Sequence, residues 1–364
     1  MPTYYLYVHV PFCRRACSYC DFYFTVSEKN TKRFVAAVIR EMEMRAGGEA
    51  ASLYLGGGTP SRLPPEDLAR MVEAAKKYFV FHPEAEITLE VNPEDVVDPS
   101  AWKDAGINRV SLGVQSFDDA ELERMNRVHT GETARTALAA VASVFGNYSL
   151  DLIYATPTLS DAVWTQTLEY VWELAPPHFS AYALTVEERT RLAKDVERGK
   201  VKPADEETFR RQFYLLADAA AREGYEHYEI SNFARPGFRA VHNSAYWHSK
   251  PYWGFGPSAH SYDGRRQRTA NVRNLDEYLT DVESGRLPVE FAETLSDADL
   301  HNEFVLTRLR TDEGIALDQY REKFGRMPSP EPIAKGWAEM VAGRMRLTRE
   351  GMAFADAAAV MLFV

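Results

Sequence analysis

Apolar positions along this chain recur with two different periods. Tyr4–Val10 is apolar almost throughout, as in a parallel strand covered on both faces. Ser52–Leu55, Glu86–Val91, Arg109–Val114, Ser149–Tyr154, Phe179–Leu184 and Tyr225–Ile230 are further strand candidates. Between them the period lengthens. In Thr31–Arg45 the residues Phe34, Val35, Val38, Ile39 and Met42 share one helical face, and in Glu206–Arg222 Phe209, Phe213, Leu216 and Ala220 do the same. Asp67–Tyr78 reads as a helix that starts just after Pro64–Pro65. Strands alternating with helices predict βαβ units and a parallel sheet. Roughly six or seven such units suit a full or partial barrel, whose ligands sit at the C-terminal strand ends.

After Pro288 the alternation stops. Asp299–Leu309 and Leu317–Phe324 are helix candidates, Pro328–Pro330 marks a loop, and Met345–Thr348 with Gly351 reads as a short hairpin. The expected division is a barrel over 1–234, an aromatic segment and connection over 235–290, and a small helical module over 291–364.

Composition narrows the class. The chain has 364 residues, 45% of them hydrophobic, with 42 Lys+Arg against 53 Asp+Glu and a net charge of −11. That apolar content excludes disorder, and no run of about 18 apolar residues predicts a membrane span. The N-terminus lacks the pattern of a secretory signal, so a cytoplasmic location is expected. The acidic balance argues against general nucleic-acid binding, and the acidic helices of the C-terminal module against a DNA-binding role for it.

The only cysteines, Cys13, Cys17 and Cys20, fall within eight residues directly after the first strand candidate. Such spacing suggests thiolates converging on one metal centre rather than a disulfide framework. A structural zinc site would want a fourth ligand, which His9 could supply. Three thiolates on a [4Fe–4S] cluster leave one iron open to a second molecule. The other strand ends carry Gly56-Gly57-Gly58-Thr59-Pro60, Glu90 with Asn92, Gln115, and Asp151. Polar groups at successive strand ends are hard to explain as core packing.

Cys13-x3-Cys17-x2-Cys20, with Tyr19 before the third cysteine, resembles the signature of the radical S-adenosylmethionine (SAM) superfamily. Tyr7–Cys13, the Gly56–Pro60 loop, the Gln115 segment, Asn126-Arg127 and the Asp151 segment are similar to the oxygen-independent coproporphyrinogen III oxidases and their relatives. This likeness implies an α/β fold, a partial (β/α)6 TIM-like barrel with a winged-helix-like C-terminal module. It also implies that Cys13, Cys17 and Cys20 hold a [4Fe–4S] cluster. Tyr7, Gly57, Gly58, Thr59, Glu90, Gln115, Arg127 and Asp151 are then the expected SAM contacts. Arg127 has its own rationale, because a guanidinium can grip a carboxylate with two hydrogen bonds.

A second constellation, His242-Asn243-Ser244-Ala245-Tyr246-Trp247-His248 followed by Tyr252-Trp253-Gly254-Phe255-Gly256 and His260, is dense in His and aromatics. Arg235, Arg239, Lys250, Arg265, Arg266, Arg268 and Arg273 lie around it. By composition it is either an aromatic core beside a solvated Arg face or a porphyrin site, with His on iron and Arg on propionates. His242, Asn243, Tyr246 and Trp247 match the H-N-x-x-Y-W motif of the haem-chaperone (HemW-type) branch of the same family. That resemblance implies a protein that binds haem, with His242 as the iron ligand. It would deliver haem to respiratory acceptor proteins and meet a membrane only through those partners. Phe22 stands where the true oxidase has a further cysteine, which favours the chaperone over the alternative, SAM-dependent decarboxylation of coproporphyrinogen III.

Overall fold

The computed structural model describes residues 2–364. Six strands run parallel in chain order: β1 Thr3–Val10, β2 Glu49–Gly57, β3 Val80–Val91, β4 Arg109–Gln115, β5 Tyr148–Tyr154 and β6 His178–Ala183. Helices connect them on the outside, among them Thr31–Met44, Pro65–Tyr78, Gly131–Val144 and Asp161–Leu174. This is the expected α/β partial (β/α)6 barrel.

Each strand alternates in a way that the sequence patterning undersold. Leu53 and Leu55, Ile87 and Leu89, Val110 and Leu112, Leu150 and Leu152, and Phe179 and Ala181 are buried in the core that packs on the helices. The intervening residues point into the barrel, because successive side chains of a strand face opposite sides. They are Tyr5, Tyr7 and His9; Ser52 and Tyr54; Glu86, Thr88 and Glu90; Arg109 and Ser111; Ser149 and Asp151; and His178, Ser180 and Tyr182. The lumen is therefore polar, and it is the helix-facing side that forms the apolar core.

The barrel stays open. β7 Glu226–Glu229 and β8 Asn232–Ala234 form a hairpin whose second strand pairs antiparallel with β6. Tyr225–Ile230 thus gives a strand, but one separated from β6 by the antiparallel β8, because the chain reverses at Ile230–Ser231 and the returning strand pairs with β6. On the other edge, β9 Tyr252–Phe255 pairs parallel with β1. β10 His260–Tyr262, β11 Gln267–Asn271 and β12 Val289–Thr294 then extend the sheet antiparallel to twelve strands. Sequence patterning did not reveal this extension, since its strands are short and of mixed polarity.

The C-terminal module has its own apolar cluster, built on Phe304, Val305, Ile315, Tyr320, Met345 and Ala358. Helix Asp297–Leu309 opens with a capping box between Ser296 and Asp299. β13 Ile315–Ala316, β14 Ala338–Val341 and β15 Arg344–Leu347 form a small sheet. Its hairpin turns at Ala342–Gly343, both at positive φ, and Gly351 lies beyond it in helix Arg349–Ala353 rather than in the hairpin. Among the described residues no helix is long and apolar enough to cross a membrane.

Candidate functional site

The C-terminal strand ends surround a cavity of about 660 Å³. Its wall is built first from the loop after β1. Phe12, fully buried edge-on against Phe34 at 5.3 Å, anchors the loop's start. The Cys13 amide donates to the Thr25 carbonyl at 2.9 Å and the Thr25 amide to Pro11 at 2.7 Å, closing the loop on itself. Its far side is tied down by Asn126 Nδ2 on the Ala16 carbonyl (2.7 Å) and the Ser18 amide on Met125 (3.1 Å). Cys13, Cys17 and Cys20 all line the cavity. Burial pushes the Cys13 thiol up to about 11 and the Cys20 thiol upward as well. Any metal that binds there must displace those protons. Among the described residues no three His, Cys, Asp or Glu side chains converge on a single-ion site. The three thiols thus share a wall without closing round one ion.

Arg127 stands beside them. Its Nη1 donates to Cys17 Sγ at 3.4 Å, and its Nη2 donates to Asn92 Oδ1 (2.7 Å) and the Gly113 carbonyl (2.8 Å). Its Nε is buried with no partner. A buried donor without an acceptor is costly, and a carboxylate at the cavity wall would satisfy it. Thr59 Oγ1 lies 3.6 Å from Cys13 Sγ and accepts from Asn92 Nδ2 at 3.1 Å.

The glycine loop after β2 is tight for a reason. Gly57 has φ +109°, and a Cβ on it would lie 2.5 Å from His9 Nδ1. A Cβ on Gly58 would lie 2.8 Å from the Val10 carbonyl and 3.0 Å from Cys13 Sγ. Deeper in the cavity, Glu90 accepts from the Gly57 amide (2.9 Å) and from the Tyr54 hydroxyl (2.7 Å). Burial, reinforced by the neighbouring Asp151 charge, raises the Glu90 carboxyl to about 7. Asp151 accepts from Ser111 Oγ at 3.2 Å and is likewise raised by burial. Gln115 lines the cavity at the end of β4, at φ +67°.

Of the residues expected to meet SAM, Gly57, Gly58, Thr59, Glu90, Gln115, Arg127 and Asp151 line this one cavity, and Tyr7 does not. Tyr7 lies beneath, packed on Tyr54 at 6.2 Å with its hydroxyl 3.2 Å from His9 Nδ1. The alternation of β1 puts it in the lumen, but behind the Tyr54 ring that lines the cavity. Sequence reasoning missed Arg109, which is 2% exposed yet borders the cavity, its Nε facing Glu86 at 3.8 Å without a hydrogen bond. The signal was present: a cation opening the otherwise apolar Arg109–Val114 run.

The His242–Trp247 motif is a single helix, Val241–Trp247, that plugs the barrel from below. The Glu86 carboxylate receives its first two amides, Val241 and His242, each at 3.0 Å, an arrangement that the helix dipole favours. His242 is 1% exposed. Its Nδ1 lies 2.8 Å from Ser52 Oγ, its Nε2 lies 3.0 Å from the Tyr246 hydroxyl, and its ring stacks on Tyr54 at 5.0 Å. Burial, helped by Arg109, lowers its pKa to about 3 and keeps it neutral. Both ring nitrogens of His242 are thus hydrogen-bonded inside the barrel, because the motif folds inward instead of lying at a surface. Asn243 alone of the four turns upward and lines the cavity. Tyr246 packs edge-on against Tyr252 at 4.9 Å, and Trp247 lies under the Arg310 guanidinium at 4.9 Å.

Much of the basic stretch is also already paired. Arg239 bonds Glu226 and Asp312, Arg266 bonds Asp297, and Arg268 holds Glu303 through two bonds of 2.8 Å. Arg235 lies over the Tyr225 ring and donates to the Glu223 carbonyl. These ion pairs join the barrel and its sheet extension to the C-terminal module.

Comparison with known proteins fits this geometry. A family pattern described as the radical SAM superfamily matches residues 7–171. "Heme chaperone HemW" of Mycobacterium tuberculosis (strain H37Rv) is 36% identical over 97% of this chain and 93% of its own length. The HemW of Synechocystis is 37% identical over 75% of this chain and 69% of its own. A mouse protein named "Radical S-adenosyl methionine domain-containing protein 1, mitochondrial" is 32% identical over 96% and 85%. Among solved structures, Escherichia coli coproporphyrinogen III oxidase (HemN) superposes with a TM-score of 0.83 at 22% identity, covering 100% of this chain and 90% of that one. That last likeness is one of fold.

Proposed function

The chain belongs to the HemW family of radical SAM proteins, and on that premise we propose that it is a haem chaperone that binds haem and passes it to respiratory acceptor proteins. In this reading it carries a [4Fe–4S] cluster and SAM in the barrel-mouth cavity. It works in the cytoplasm and meets membranes only through its partners. The observation that carries the cofactor assignment is the convergence of three thiols, a glycine loop and the unpartnered Nε of Arg127 on one cavity.

The residues fit both groups. Cys13, Cys17 and Cys20 would hold three irons and leave the fourth open. A cluster and a ligand need to approach the backbone of Gly57 and Gly58, where a side chain would strike His9 or Cys13. When bound, the cluster supplies single electrons and SAM a sulfonium able to accept one. The chain's own contribution is positioning and electrostatics. Arg127 Nε offers a buried hydrogen bond to a carboxylate, and Thr59 with Asn92 fixes the wall beside it. Glu90 and Asp151 present acceptors in the deep part of the cavity. Glu90, raised to about 7, holds or releases a proton near neutral pH. Asn243 brings the haem-chaperone motif to the same cavity floor.

The test is an anaerobic haem titration of the cluster-reconstituted chain, read as difference spectra, beside an assay for coproporphyrinogen III turnover. Saturation at about one haem per chain without decarboxylated product is expected. Protoporphyrinogen accumulating in step with deoxyadenosine, or haem uptake that never saturates, overturns the chaperone reading.

A further inference from the structure

With both nitrogens of His242 hydrogen-bonded inside the barrel, a second candidate for a haem iron is a neutral imidazole with a free nitrogen that a macrocycle can reach. The chain has nine histidines. Both nitrogens of His9, His129, His242 and His301 are hydrogen-bonded, and His178 and His227 are enclosed. His248 is held between the Ser244 carbonyl and Glu313. His82 pairs with Glu49 near the start of β3, away from the barrel mouth. Among the described residues, His260 is the one exposed histidine whose ring makes no hydrogen bond or ion pair. Partial burial and the nearby Arg268 charge lower its pKa, so it is neutral at pH 7.

Its surroundings suit a flat, largely apolar ligand. On the sheet extension His260 lies opposite Ala270, and Ala270 lies opposite Phe291. Directly paired residues share a face, so the three form one row. The row below holds Tyr262, Arg268 and Glu293. On the other side of His260 stands Gly254, where a Cβ would come within 2.2 Å of the His260 carbonyl oxygen. Gly254 is buried and lets β9 approach β10 closely, while on the other side the small Ala270 beside the imidazole leaves a low floor over which a macrocycle can lie. Phe291, 50% exposed, sits two strand spacings away, roughly 10 Å. That places its ring at the rim of a porphyrin centred on His260.

A cation stands nearby. Arg273 makes no ion pair among the described residues, unlike Arg239, Arg266 and Arg268. It lies over the Tyr23 ring at 5.9 Å and reaches the Asp21 carbonyl at 3.5 Å. Arg273 lies two residues beyond the end of β11, the strand that carries Ala270.

We infer that His260 is the axial ligand through which this chain holds haem iron, with the macrocycle on the β9–β12 face over Ala270 and against Phe291, and a propionate on Arg273. This rests on the haem-binding reading above and gives it a place on the sheet extension, level with Gly254 and its partner Tyr7.

The experiment compares haem titrations of the full cluster-reconstituted chain, wild type against His260→Ala, with Phe291→Asp as a second variant. His260→Ala should weaken binding at least tenfold and abolish the imidazole-ligated Soret signature, and free imidazole should restore that signature. Phe291→Asp should weaken binding several-fold and keep it. Both sites are exposed, so thermal unfolding should be unchanged. A His260→Ala titration that overlays wild type overturns the assignment while haem binding itself stands. A wild type that takes up no haem saturably overturns both.

Discussion

Replacing Glu86 with Ala tests whether the helix Val241–Trp247 is fixed in the barrel by that one carboxylate. Glu86 is 5% exposed, receives the two leading amides of the helix at 3.0 Å each, and lies 3.8 Å from Arg109 Nε. Hydrogen bonds to a charged group contribute about 1.5–3 kcal/mol apiece, and breaking a buried ion pair costs about 3–5 kcal/mol. The two figures describe the same carboxylate and do not add. Arg109 also keeps Ser149 at 2.9 Å and the Asp151 charge, which limits the loss. The expected cost of Glu86→Ala is therefore about 3–5 kcal/mol, a fifth or more of the ~5–15 kcal/mol that stabilises a typical domain. Glu86→Gln keeps one acceptor oxygen and should cost about 1–3 kcal/mol. Urea unfolding followed by tryptophan fluorescence, which reports on Trp247 at the end of the same helix, reads both. An Ala variant within about 1 kcal/mol of wild type, or a Gln variant as damaged as the Ala one, would refute the reasoning.

Two further predictions concern the cavity. Gly57→Ala must carry a side chain at φ +109° into His9, at a cost of about 1–3 kcal/mol; equilibrium dialysis should show SAM affinity down at least tenfold, and unchanged affinity would remove this loop from the ligand. Glu90 has its carboxyl raised from 4.5 to about 7 in the fold. The stability this protonation contributes is present below about 4.5 and lost as pH rises through about 7, with an upper limit near 3 kcal/mol. Gln cannot ionise, so Glu90→Gln should gain on wild type between pH 5 and pH 8 in cluster-free protein. A gap that stays flat or narrows in urea melts at the two pH values counts against a buried Glu90.

The barrel was legible because its signal is redundant. Strand candidates and helices at helical spacing alternate over most of the chain, and that alternation, repeated six times, implies βαβ units. The cysteine loop and the strand-end residues could then be placed, since a parallel strand delivers whatever follows it to the same rim. Tyr7 shows the limit of that logic. Being on the right strand and the right face does not bring a residue to the cavity wall: Tyr54, its register partner, lines the cavity, and Tyr7 packs behind that ring. The strands β9–β12 were illegible for a different reason. They are short and half exposed, so neither face carries a continuous apolar row, and their pairing depends on β1 lying next to them.

His242 and Arg109 expose one further physical point. A polar lumen needs internal partners, since each buried donor or acceptor left alone costs free energy. The helix Val241–Trp247 supplies several of them at once: its amides to Glu86, its imidazole to Ser52, and its neutral ring beneath Tyr54, which in turn holds Glu90. A dense His and aromatic motif can therefore be demanded by the inside of a barrel as strongly as by an external ligand. The same helix turns Asn243 into the cavity and Tyr246 against Tyr252, the first residue of β9. The motif is thus a packed link between the barrel mouth and the sheet extension that carries His260.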